Sequence, residues 1–313
     1  MLQEVVKNLK KELHKVIVGY DSLLELLLVS FFTSGHVLVE GVPGTAKTLM
    51  VKALSMVLNL EFRRIQFTPD LMPSDIVGTN VFDLDTGKFH LKKGPIFTNL
   101  LLADEINRAP PKTQAALLEA MEERQVTIDG ISYQLSDFMV CATQNPIEYE
   151  GTYPLPEAQL DRFLMKLQVP YPSASEENDI LNLYESGFDA HRLDEIDFHY
   201  TVSQDEVHQL RAEIFDMKVQ PEVISYITDI VRVTRESSHL VLGASPRASV
   251  VLLLTSKSFA AMQGESFVTP DTVKMLALPV LRHRVILKPE AEIEGMTPDA
   301  VIRECLQKVE VPR

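Results

Sequence analysis

One loop narrows the architectures open to this chain more than any other stretch. "HVLVEG" is an apolar run of strand type, "TLMVKALSMVL" has helical spacing, and "GVPGTAKT" joins them. Strand, loop and helix in that order fit the pattern G-x-x-x-x-G-K-[ST] at Gly41, Lys47 and Thr48, with Ala46 where the second glycine would stand. Such a loop curls backbone N–H groups around phosphate oxygens, sets a lysine on the β- and γ-phosphates and offers a hydroxyl to Mg²⁺. Gly41, Val42, Pro43, Gly44, Thr45, Ala46, Lys47, Thr48 and Leu49 are therefore candidate nucleotide-binding residues, with Thr48 also a metal ligand. A Cβ at Ala46 is harmless if that residue has negative φ, as in the first turn of the following helix. The sequence reading expects that conformation, and a positive φ would defeat this account of the loop and put the nucleotide site in doubt.

The loop is the first of a series. Strand-like runs at "FRRIQF", "NLLLADE", "DFMVCATQN" and "RFLMKLQV" alternate with helical patterns through residue 170. This predicts an α/β fold, with a parallel sheet covered by helices over 1–170. After "VPYPSAS" the pattern becomes helical only, which predicts a smaller all-helical domain over 171–313. Ser245-Pro246, Thr269-Pro270 and Thr297-Pro298 each read as a cap followed by proline at the first helical position. Ser203 with Glu206 reads as a capping box, ahead of an apolar stripe at Val207, Leu210 and Ile214. Two further segments, "DLDTGKFHL" and "RQVTIDGISYQL", carry hairpin signatures and project from the nucleotide fold.

Composition removes several function classes. The apolar stretch "SLLELLLVSFF" is interrupted by Glu25 and is too short for a bilayer, so it reads as a buried helix with no membrane span. The amphipathic N-terminus has no cleavage signature, and export is not expected. Cys141 and Cys305 lie far apart in apolar segments, as reduced core thiols of a cytoplasmic protein would. Neither they nor the eight histidines have zinc-ligand spacing. Thirty basic against 44 acidic residues leave a net charge of −14, which disfavours nonspecific nucleic-acid binding. "HLKKGP" and "LRHRVILK" are the only basic clusters, and both read as solvated faces.

In such sheets, ligands gather at the carboxyl ends of strands. "NLLLADEINRAP" places Asp104 and Glu105 there. Two adjacent carboxylates suggest a division of labour, with Asp104 holding hydrated Mg²⁺ and Glu105 polarising the attacking water. Asn145, in "CATQNP", ends the next strand and can orient that water or contact the γ-phosphate, although Asn-Pro is also a common turn opening. Arg247 sits at the second position of a helix that begins after Ser245, where a cation meets the positive end of the dipole. Either a functional role or a neighbouring acid accounts for that breach.

Taken together, "GVPGTAKT", "LLADEINRAPPKTQAALLEAMEE", "ATQNP", "YPLPEAQLDRF" and "GASPRA" resemble the successive motifs of the MoxR family of AAA+ ATPases, in that family's order and over nearly the whole chain. The resemblance implies ATP and ADP as ligands, Mg²⁺ as cofactor, and a hexameric ring with chaperone-like action on client proteins. It also implies separate partners with von Willebrand factor A domains. Ala46 is an accepted variant within that family.

The resemblance further implies that Arg162 is an arginine finger reaching a neighbour's nucleotide, and that Arg247 is a sensor arginine reaching the γ-phosphate from the helical domain. Pairing of Arg162 with Asp161 or Glu157 is the alternative for the first. It places the adenine near Val18 and Gly19 in "VIVGYD", a segment that pattern alone reads as a short strand and turn. Arg108 is either a further interface arginine or half of a surface ion pair. Two other functions share these motifs. One is a nucleic-acid motor or metal-chelatase subunit, for which Lys92 and Lys93 would have to face a pore. The other is a scaffold that holds ATP with negligible turnover.

Overall fold

A computed structural model describes residues 1–146 and 151–312. The amphipathic N-terminus forms α1 (Leu2–Leu13), and "SLLELLLVSFF" lies in α2 (Asp21–Phe32). The α/β part continues with β1 (Val37–Gly41), α3 (Lys47–Val57), β2 (Phe62–Gln66), α4 (Pro73–Val77) and a hairpin of β3 (Gly78–Asp83) and β4 (Lys88–Lys93). Then come β5 (Leu100–Asp104), α5 (Pro111–Glu123), a second hairpin of β6 (Gln125–Ile128) and β7 (Ile131–Gln134), and β8 (Met139–Gln144). It closes with α6 (Glu157–Leu160) and β9 (Met165–Val169).

All five strand-like runs pair in one parallel sheet, in the order β2-β5-β8-β1-β9. Side chains alternate between its two faces. Val37, Val39, Leu100, Leu102, Met139 and Cys141 enter one core, whereas Leu38, Leu101, Ala103, Val140 and Ala142 enter the other with Leu117 and Leu118 of α5. Burial on both faces explains why these strands read as continuous apolar runs. At the Asp129-Gly130 turn both residues have positive φ, +48° and +81°, as a two-residue hairpin turn requires.

The chain then turns helical: α7 (Ala174–Glu185), α8 (Gln204–Phe215), α9 (Pro221–Glu236), and, after a short strand β10 (Leu240–Leu242), α10 (Pro246–Gln263) and α11 (Pro270–Leu281). A second short strand β11 (Ile286–Leu287), α12 (Pro289–Ile293) and α13 (Pro298–Lys308) complete it. The expected helical domain is present, with one addition, a two-stranded antiparallel ribbon of β10 and β11. Runs of two and three residues are too short to leave a period in the sequence.

Thr269 and Thr297 cap their helices through bonds from the N–H groups of Thr272 and Ala300. Ser245 stands at its N-cap position without a capping bond, and its buried Oγ has no partner among the described residues. Ser203 accepts from the Glu206 N–H, but the Glu206 carboxylate faces the Tyr200 hydroxyl at 3.5 Å, so only half of that box forms. The full box belongs to Ser173 and Glu176, at the start of α7. Val207, Leu210 and Ile214 are buried as their spacing predicts.

Leu24, Leu27 and Leu28 of α2 share one core with Val251 and Leu252 of α10 and Leu276 of α11. The boundary at 170/171, we propose, therefore marks a change of architecture within a continuous core. No helix among the described residues is long and apolar enough to cross a membrane.

Candidate functional site

The carboxyl end of the sheet opens into a cleft of about 600 Å³, within the range of small-molecule sites. Its walls come from three places. Pro43 to Leu49 supply the loop and the start of α3, Asp104, Glu105 and Asn145 end their strands, and Val16 to Val18 with Tyr20 face Ile180, Leu183, Tyr184 and Phe188 from the α7 region. One end is thus polar and the other apolar.

In the loop, a Cβ on Gly41 would meet the Val169 Cβ at 2.9 Å and the Val169 carbonyl at 3.0 Å, so glycine lets β9 run close beside it. Gly44 has φ +82°. Ala46 has φ +57° and ψ +19°, against the negative φ expected from the sequence. The helix begins at Lys47, one residue later than that argument assumed, which leaves Ala46 as a left-handed N-cap. For an L-residue this conformation costs about 1–2 kcal/mol, which explains why the general pattern prefers glycine there. The alanine is a strained fit, and support for a nucleotide site passes to the other groups around the cleft.

Lys47 turns back on its own loop, donating to the Gly41 and Val42 carbonyls at 2.8 and 2.6 Å. Burial lowers its pKa, with Asp104 and Glu105 opposing the shift. Thr48 lines the cleft beside it, while Gly41 and Val42 shape the loop from behind.

The two carboxylates are arranged by a residue the sequence reading missed. Thr143 of β8 is buried, accepts from the Glu105 N–H at 2.9 Å and donates to Asp104 Oδ1 at 2.5 Å. Glu105 occupies a left-handed conformation, φ +56°. Two more residues were missed on β2. Arg64 donates from Nε and Nη2 to Asp104 Oδ2 at 3.1 and 2.7 Å, and Gln66 donates to Glu105 Oε2 at 2.8 Å. Alternation along "FRRIQF" puts Arg64 and Gln66 on one face, but only the register of β2 on β5, with Gln66 opposite Asp104, brings that face to the acids. Arg108 lies 3.0 Å from Glu105 Oε2, so of its two readings the ion pair has the geometry.

At the apolar end, "VIVGYD" forms no strand; it is an irregular turn that leads into α2. Val18 lines the cleft. Gly19 has φ +69°, and a Cβ there would collide with the Glu176 carboxylate, so glycine permits the approach of α7.

The remaining two arginines lie elsewhere. Neither Arg162 nor Arg247 lines this cleft. Arg247 Nη2 bonds Glu122 Oε2 at 2.9 Å, and Arg162 Nε lies 3.8 Å from the same oxygen. Glu122, at the end of α5, is the acid that compensates this cation at a helix N-terminus. The hydrogen bond from Arg247 lowers the Glu122 pKa and raises that of Arg247. Asp161 is not the partner of Arg162 either. It is held by Arg284 at 2.7 Å, and Arg284 also bonds the Leu164 carbonyl at 3.1 Å. That buried arginine fixes the turn carrying Arg162 to the helical part.

Residues 36–165 match the family described as "ATPase family associated with various cellular activities (AAA)", and residues 232–305 match an AAA lid domain. The chain is similar to Chaperone MoxR1 of Mycobacterium tuberculosis, 43% identical over 96% of this chain and 81% of that protein. It is 45% identical to the uncharacterised protein YeaC of Bacillus subtilis, over 96% of this chain and 93% of that one. A crystal structure of a protein from Cytophaga hutchinsonii assigned as an ATPase superimposes with a TM-score of 0.89 at 41% identity, covering 100% of this chain and 96% of the other.

Proposed function

The chain belongs to the MoxR family of AAA+ ATPases, and from that premise we propose that it hydrolyses ATP in an oligomeric ring to remodel client proteins. The observation that carries the reading is the convergence of Lys47, Thr48, Asp104, Glu105 and Asn145 on one cleft with an apolar far end. In this reading adenine would lie among Val18, Tyr20, Ile180 and Leu183, which line the apolar end, and the loop amides and Lys47 would meet the phosphates.

Thr48 and Asp104 offer hard oxygen donors of the kind Mg²⁺ takes, and a cation, Arg64, already stands at the Asp104 carboxylate. Bound there, Mg²⁺ would neutralise charge on the phosphates. The chain's own residues do the rest. Lys47 leaves the Gly41 and Val42 carbonyls for phosphate oxygens. Glu105 leaves Gln66 and Arg108 to polarise a water, which Asn145 orients toward the γ-phosphate.

Arg162 and Arg247 stand together at Glu122, away from the chain's own cleft. In this reading both serve the nucleotide of a neighbouring subunit, with the hexamer as the ring. Protein clients, supported by the chaperone name of the mycobacterial relative, complete the proposal, together with separate partners with von Willebrand factor A domains and a cytoplasmic setting, which follow from the family resemblance alone. Phosphate release by wild type and Glu105→Gln, with Mg²⁺, tests it. The account expects turnover in the wild type and a loss of about 10²-fold or more in the variant. Equal rates near zero would favour a nucleotide-holding scaffold instead.

A further inference from the structure

Asp104 presents two carboxylate oxygens, and both are engaged. Oδ1 receives the Thr143 hydroxyl, and Oδ2 receives Nε and Nη2 of Arg64. The same Nη2 also donates to Gln66 Oε1 at 2.9 Å, and Gln66 in turn donates to Glu105 at 2.8 Å. Arg64 is thus the cation nearest to one acid and is linked through a single amide to the other.

The two partners differ in freedom. The Asp104 side chain is 12% exposed and pinned by Thr143, whereas the Arg64 side chain is 48% exposed. The guanidinium can withdraw to solvent; the carboxylate cannot follow it. A hydrated divalent cation taking Oδ2, directly or through a water, would meet a guanidinium 2.7 Å from that oxygen, and like charges repel strongly in a half-buried cleft.

Resting on the reading of this cleft as a Mg²⁺–nucleotide site, we propose that Arg64 gates the metal: it holds the cation position at Asp104 and must be displaced for the metal to enter. Metal affinity at this site is therefore set by competition with a residue of the chain as well as by the ligands themselves. Arg64 positions and competes, and takes no part in the chemical step.

The test uses the full chain with a non-hydrolysable ATP analogue and Mn²⁺ as a paramagnetic probe. Bound Mn²⁺ is read by electron paramagnetic resonance, and analogue affinity in EDTA is read by calorimetry. A charge-assisted bond to a half-exposed arginine is worth about a tenfold change in competition, or about 1.4 kcal/mol. Arg64→Gln is expected to lower the half-saturating Mn²⁺ concentration about tenfold, with Arg64→Lys in between, while analogue affinity in EDTA stays within about twofold. Thermal unfolding of each variant confirms that the fold is retained. An unchanged Mn²⁺ requirement in variants that bind the analogue normally would overturn the gate. So would a tenfold loss of affinity in EDTA, which would make Arg64 a phosphate ligand. A wild type that takes up neither analogue nor Mn²⁺ would refute the nucleotide reading itself, and the gate with it.

Discussion

Thr143→Val replaces a buried hydroxyl by a methyl group of nearly the same size, so it opens no cavity and isolates the two hydrogen bonds that hold the acids. The Glu105 N–H would lose its acceptor at 2.9 Å and be left buried, at a cost of about 1–3 kcal/mol. Asp104 would lose a donor at 2.5 Å, a bond to a charged group worth about 1.5–3 kcal/mol. Arg64 still pairs with the other carboxylate oxygen, and the added methyl group recovers about 0.8 kcal/mol if fully buried, so a net loss near 3 kcal/mol is expected. Urea unfolding followed by circular dichroism measures it, with Thr143→Ser, which keeps the hydroxyl, expected within about 1 kcal/mol of wild type. Mg²⁺-dependent nucleotide affinity should fall in the valine variant and hold in the serine variant. A valine variant within about 0.5 kcal/mol of wild type would refute the claim that Thr143 organises the two acids.

Ala46→Gly relieves a left-handed alanine and should stabilise the fold by about 0.5–1 kcal/mol after glycine's greater unfolded-state entropy is subtracted, with nucleotide affinity retained in calorimetry. His36 is buried, donating to the Met121 carbonyl and accepting from the Val140 N–H, and burial depresses its pKa to about 4. The unfolded chain then binds the extra proton, so stability is full above about pH 6.5 and declines by up to about 3 kcal/mol as pH falls toward 4. His36→Asn should flatten that part of a pH–stability profile. Arg284→Met leaves a partly exposed Asp161 without its partner and several buried carbonyls without their donor, and should cost about 2–3 kcal/mol in thermal or urea unfolding.

The parts of the fold that could be read from the sequence were those with a local signature. All five sheet strands, both hairpins and the Thr269 and Thr297 caps follow from apolar runs, turn residues and cap chemistry within a few positions of one another. What escaped depends on contacts between distant segments. Arg64 and Gln66 reach the acids through strand register, Thr143 through the pairing of β5 with β8, and Arg162 and Arg247 meet at Glu122 by helix packing. None of these leaves a trace in local spacing. Ala46 differs for another reason: α3 starts at Lys47, one residue later than the pattern indicates, and a single residue separates a helical φ from a left-handed one. That Lys47, Thr48, Asp104, Glu105 and Asn145 line one cleft was legible because strand ends gather at one edge of a parallel sheet.

The central claim is an ATPase site completed by a neighbouring subunit. The steady-state ATPase rate per subunit, measured against protein concentration with Mg²⁺ present, tests it most directly. The account predicts a rate that climbs with concentration in the wild type and falls by about 10³-fold or more in Arg162→Ala, as expected for an arginine finger supplied in trans. A rate that is independent of concentration and unaltered by Arg162→Ala would contradict it.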